Sequence, residues 1–117
     1  MREGLVGLEI EKRGEVVVVS LTGELDIAGA ARTGERITDA VPTSAVGLVV
    51  DLMELEFMDS SGIAMLFGLA RSLGSRRQRL SVAAPPDGPV WRVLEIVEFE
   101  RAAPVHGDVD AAVAEIG

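Results

Sequence analysis

The run Leu55-Glu56-Phe57-Met58-Asp59-Ser60-Ser61-Gly62-Ile63 sets a carboxylate, two hydroxyls and a glycine at the entry of an apolar stretch. Two kinds of chemistry suit such a run. In the first it is structural: Asp59 or Ser60 accepts a hydrogen bond from an orphan amide in the first turn of a helix, a cap worth about 1 kcal/mol, and Gly62 lets the helix approach its neighbours closely. In the second, one hydroxyl is a phosphorylation acceptor. A phosphate ester adds about −1.5 to −2 charges and three acceptor oxygens, which a helix N-terminus tolerates. The fold would survive the modification, while a partner pressed against the same surface would meet a dianion. Such a phosphate acts on binding.

Other chemistries find little support. The chain has no cysteine and a single histidine, His106, which removes disulfides, thiol catalysis and Cys- or His-rich metal sites. A hydrolase triad of Ser60, His106 and an aspartate would need a Gly-x-Ser-x-Gly nucleophile elbow, and there is none. Neither glycine-rich phosphate-binding motif is present, so the chain reads as a kinase substrate and not an enzyme, with no cofactor or metal expected. A net charge of −8 and only 3% aromatic residues argue against a nucleic-acid partner. Met1-Arg2-Glu3-Gly4 lacks the apolar core of a signal peptide, and no run approaches the ~18 apolar residues of a membrane span. The expectation is a cytoplasmic, water-soluble protein with no membrane partner. Arg71, Arg76, Arg77 and Arg79 make a locally basic stretch, read as a solvated turn with a docking patch as the alternative.

The elements that must position the Asp-Ser-Ser-Gly run follow from periodicity. The 117 residues suffice for one domain over 1–117, large enough to hold a core without metal or disulfide. Leu5 to Arg13 alternates as a half-buried strand, Gly14 marks a turn, and Glu15 to Leu25 carries Val16-Val17-Val18-Val19, a block too continuous for one wet face. These two pair as a hairpin. Ile27 to Val41 has helical spacing with Asp26 as its cap, although Gly29 and Gly34 each weaken it by about 1 kcal/mol relative to alanine. Val46 to Leu52 is a buried strand, Met53 to Asp59 a connecting loop, and Ser60 to Leu73 an apolar helix closed by Gly74. A strand at Arg79 to Ala84, a helix at Val90 to Phe99 begun by Pro89, a short extended piece at Ala103 to His106 and a helix from Asp108 to Ile116 complete the chain.

The order β-β-α-β-α-β-α-(β)-α predicts an α/β fold, a mixed sheet of about four to five strands with its long helices on one face. The β-α-β unit over 15–52 makes its two strands parallel, so their C-terminal ends share one rim. Asp26 leaves the first of these strands, and the Met58-Asp59-Ser60-Ser61 segment follows the second. Residues far apart in sequence therefore meet at the rim where ligands and partners of parallel sheets usually engage.

With these residues in view, the sequence resembles the STAS domain family and, within it, the anti-sigma factor antagonists. The resemblance rests on Leu21-Thr22-Gly23-Glu24-Leu25-Asp26 and on Asp51-Leu52 through Phe57-Met58-Asp59-Ser60-Ser61-Gly62. Arg92-Val93-Leu94-Glu95-Ile96 and Pro104-Val105-His106 support it, and it spans nearly the whole chain. It implies a bacterial regulator that binds an anti-sigma factor, commonly also a serine kinase, and so frees a sigma factor for transcription; a serine phosphatase would reverse the modification. It implies Ser60 as the phosphoacceptor, ahead of Ser61, with Asp26 and Asp59 as the acids beside it. The partner surface is then Glu24, Asp26, Met58, Asp59, Ser60, Ser61 and Gly62. An unswitched STAS scaffold, or a module for a small ligand or nucleotide, is the alternative. The chain departs from many relatives at Glu98-Phe99-Glu100, where they carry Gly-Leu-Asp, so the turn closing that helix must form without glycine.

Overall fold

The valine block explains the centre of the molecule. Val16 to Val19 are all buried, with alternate side chains on opposite faces, so the strand that carries them is covered from both sides. In the computed structural model, which describes residues 6–117, this strand is β2 (Val16–Leu25). It pairs antiparallel with β1 (Gly7–Arg13) and parallel with β3 (Gly47–Met58). The parallel strands β4 (Arg79–Ala83) and β5 (Val105–His106) follow in spatial order, giving a five-stranded sheet β1-β2-β3-β4-β5. Leu5, the first residue of the expected opening strand, and the Met1–Gly4 segment lie outside the described residues.

Helices α1 (Ala30–Ala40), α2 (Ser60–Ser75) and α3 (Pro89–Ile96) pack on the face that presents Val17, Val19, Leu21, Leu48, Val50 and Leu52. The short α4 (Val109–Ile116) covers the other face over Val16, Val18, Val49 and Ala83. The Arg13 guanidinium ties β1 to α4 through a 2.8 Å hydrogen bond to Asp110 Oδ1. The mixed sheet and the placement of the long helices agree with the sequence reading.

Three boundaries differ from it, each for a local physical reason. The segment expected as a loop at Met53 to Asp59 is mostly strand: β3 runs on to Met58 with two register shifts against β2, each inserting one extra residue on β3. Its core-facing residues there are therefore Leu52, Leu55 and Met58, spaced by three, and the two-residue alternation that marks a strand is erased. Asp51 sits at the first of these bulges, accepting the Ser20 hydroxyl at 2.8 Å and the Met53 amide at 2.9 Å.

The second difference is at α1, which starts at Ala30 and not near Ile27. Its N-cap is Gly29, without a side-chain bond, so Asp26 is not the cap. The Asp26 carboxylate instead accepts the Ala28 amide at 3.0 Å, and its backbone carbonyl accepts the amides of Gly29 and Ala30. An aspartate that bonds two residues ahead builds a turn in competition with a helix, and this delays the helix start.

The third is α3, which ends at Ile96 rather than Phe99. Glu98 adopts the left-handed conformation (φ 57°, ψ 45°) and Phe99–Arg101 forms a 3-10 turn. The closing turn thus forms without glycine, at a cost of about 1 kcal/mol in backbone strain. Phe99, fully buried, meets Phe67 of α2 edge-on with ring centres 5.0 Å apart, which anchors the strained turn.

Candidate functional site

The rim at the C-terminal ends of β2 and β3 is built from backbone register upward. Leu25 pairs with Met58, and the Asp59 amide donates to the Leu25 carbonyl at 3.2 Å, so the chain leaves both strands at the same level. Asp26 and Asp59 therefore begin neighbouring loops. The sequence places these residues 33 positions apart, and the parallel pairing removes that separation.

Asp59 is the N-cap of α2. Its Oδ1 accepts the Ser61 amide at 2.8 Å and the Gly62 amide at 3.3 Å, and its backbone carbonyl accepts Ile63. The cap role that the sequence left open between Asp59 and Ser60 thus falls to Asp59. Ser60, at the first helical position, is exposed, and its hydroxyl makes no hydrogen bond to the described residues. Ser61 is half-buried and faces the space between α1 and α2.

Beneath the rim, Gly62 is buried and tightly held. A Cβ there would lie 2.5 Å from Met58 Cγ and 3.1 Å from the Leu25 side chain, so glycine is what allows the start of α2 to rest on the ends of both strands. Met58 is itself 6% exposed. Of the seven residues expected at the partner surface, Glu24 and Ser60 are exposed, Asp26, Asp59 and Ser61 are half-buried, and Met58 and Gly62 form the support below. An exposed Met58 facing a partner does not occur.

Two apolar residues whose exposure the sequence does not reveal flank this rim. Ile27 is 81% exposed and Phe57 48% exposed. Ile27 reads as the first residue of a helical stripe, and only the turn at Asp26 turns it outward. Phe57 is displaced by the second bulge of β3. Both neighbour polar side chains of the same strand ends and turns. The polar groups are acidic: Glu24, Asp26, Glu56 and Asp59 form no ion pair with any arginine or lysine among the described residues. No group of three or more residues suited to hold a metal ion is found among the described residues. No helix there is long and apolar enough to cross a membrane.

The basic stretch resolves differently. Gln78, which is buried, donates through Nε2 to the Pro42 and Ala45 carbonyls, both at 2.9 Å, and Arg76 Nη1 donates to the Val41 carbonyl at 3.2 Å. Arg79 Nη1 reaches the carbonyls of Glu115 and Ile116 at the C-terminal end of α4. Arg71, Arg77 and Arg79 itself remain exposed.

Comparison with known proteins assigns this architecture. Residues 8–114 match the family described as Mlab, STAS domain, and the chain belongs to the STAS domain family. It is a regulatory binding module and not an enzyme. It is 26% identical over 110 residues to an anti-sigma F factor antagonist of Paenibacillus polymyxa, covering 93% of each chain. It is 36% identical over 59 residues to the anti-sigma-F factor antagonist RsfB of Mycobacterium tuberculosis, half of this chain and 48% of that one. Among solved structures, an anti-sigma factor antagonist from Mycobacterium paratuberculosis superposes with a TM-score of 0.84 at 26% identity, covering 95% of this chain and 93% of the other.

Proposed function

We propose that this protein is an anti-sigma factor antagonist of the bacterial cytoplasm, switched by phosphorylation of Ser60. The unmodified rim binds an anti-sigma factor that is also a serine kinase, and release of that factor's sigma subunit directs transcription. Glu24, Asp26, Ser60 and Ser61 face the partner, supported by Asp59, Met58 and Gly62 and flanked by Ile27 and Phe57. A serine phosphatase restores the binding form. The relatives named as anti-sigma factor antagonists support the partner class.

The observation that carries the switch is the exposed, unbonded hydroxyl of Ser60 at the first position of α2, beside the end of β2. Esterifying it breaks no hydrogen bond among the described residues. The added dianion joins a rim whose four carboxylates form no ion pair with any arginine or lysine among the described residues, so it adds to a surface that is already acidic. Its effect falls on the partner, which must desolvate or repel the charge, and like charges at an interface cost several kcal/mol.

Calorimetric titration of a cognate anti-sigma factor tests this reading. Ser60→Ala binds like the unmodified protein and accepts no phosphate from the kinase, whereas Ser60→Asp and the phosphorylated protein lose affinity. Equal affinity of all forms removes the switch, and phosphate mapped to Ser61 moves the site.

A further inference from the structure

Four glycines lie in the two helices beside the rim; Gly74 falls in the last turn of α2, and two of the other three have a reason inside the fold. Gly62 is held against Met58 and Leu25, and a Cβ on Gly34 of α1 would lie 3.1 Å from Met65 Cγ of α2. Gly68 has no such reason. It lies in the middle of α2, and a Cβ there would meet only the far end of Arg71, at 4.0 Å. A glycine at such a position costs a helix about 1 kcal/mol relative to alanine, and no internal contact offsets it.

What Gly68 does is deepen a groove. An open groove of about 720 Å³ runs between helices α1 and α2, lined by Ala31, Gly34, Ala64 and Gly68 together with Met65 and Leu69. The groove reaches Ser61 and the exposed Ile27 at its upper end, next to Ser60. Among the described residues, Glu35 and Asp39 are the charged ones that line it.

We propose that this groove receives an apolar helical segment of the anti-sigma factor, with a basic side chain set against Glu35 and Asp39. The inference rests on the function proposed above and names the part of the partner that α1 and α2 grip. Small residues on both walls let another backbone approach closely, the arrangement by which amphipathic helices seat in grooves. The charge selects the occupant. A second copy of this chain would bring its own Glu35 and Asp39 against the same carboxylates, on a protein whose net charge is −8, whereas a basic segment complements them. Because the groove opens beside Ser60, a partner seated in it has one end against the site of phosphorylation.

Gly68→Leu tests the proposal, since a Cβ at this position meets nothing nearer than the end of Arg71 and the longer side chain fills the groove. Each purified anti-sigma factor of the source organism is titrated against the unmodified protein, Gly68→Leu and the pair Glu35→Lys, Asp39→Lys. Thermal melting of each variant runs in parallel. Gly68→Leu melts no lower than the parent and weakens the complex by about tenfold or more; the charge-reversed pair, on exposed positions of α1, weakens it as well. Parental affinity in both overturns the groove as the binding site while leaving the Ser60 switch standing, provided that Ser60→Asp still fails to bind. If the unmodified protein binds none of these factors, the proposed function itself fails. Concentration-dependent self-association that Gly68→Leu abolishes assigns the groove to a second copy and overturns the partner named here.

Discussion

At the C-terminal end of the sheet, the Ser60 hydroxyl and the carboxylates of Glu24 and Glu56 face solvent with no partner in the described chain. At the opposite end, Gln78, Arg76 and Arg79 are engaged with backbone carbonyls. Gln78 holds two carbonyls of the turn between α1 and β3, Arg76 holds a third, and Arg79 reaches the last carbonyls of α4. Both regions stand out in the sequence as clusters of polar and charged residues. The difference lies in where their hydrogen bonds go. A cluster that satisfies buried backbone groups maintains the fold, and a cluster left open on a rim is available to another molecule.

This contrast can be broken or sharpened by perturbing each end in turn. The largest effect is expected for phosphorylation at Ser60. Affinity for the anti-sigma factor falls by about a hundredfold, near 2.7 kcal/mol, while the denaturation midpoint of the isolated protein stays almost unchanged. Gln78→Ala shows the reverse pattern: two carbonyls lose their donor, chemical denaturation registers a loss of about 2 kcal/mol, and partner affinity of the folded protein is retained. A large affinity loss in Gln78→Ala without unfolding would dissolve the distinction between the two ends.

Asp59→Ala belongs to both categories. It removes the acceptor for two amides at the start of α2, costs about 1 kcal/mol in stability by denaturant titration, and loosens the segment that presents Ser60. Arg79→Ala removes a cation from the C-terminal end of α4, with an expected loss of about 0.5 kcal/mol read in the same way. Ser60→Ala is the smallest change, within about 0.5 kcal/mol of the parent, because its hydroxyl bonds to nothing in the described chain. A marked destabilisation by Ser60→Ala would show the hydroxyl to be structural after all.

Much of the rim was legible before any coordinates. The valine block demanded a strand covered on both faces, the intervening helix demanded a parallel crossover, and the crossover set Asp26 beside the Asp59-Ser60 segment. Where the reading failed, the failure was local. Two bulges in β3 changed its core spacing from two to three, so a strand looked like a loop. The Asp26 side chain found an amide two residues on, so a residue suited to cap a helix built a turn instead. Met58, placed at the partner surface by its neighbours in the motif, is drawn inward by the same bulged register that aligns Leu52 and Leu55 with the core.

The order of elements, the parallel pairing of β2 with β3 and the meeting of two distant loops at one rim were determined by the sequence alone. They depend on hydrophobic period and on the handedness of chain crossovers, and both act over whole elements. Tertiary structure alone decided which side chain caps α2, which of the two serines is exposed, that Gln78 is a staple, and that Gly68 opens a groove. Each of these turns on distances of a few ångströms between groups remote in sequence, and such distances exist only once the sheet and its helices have packed.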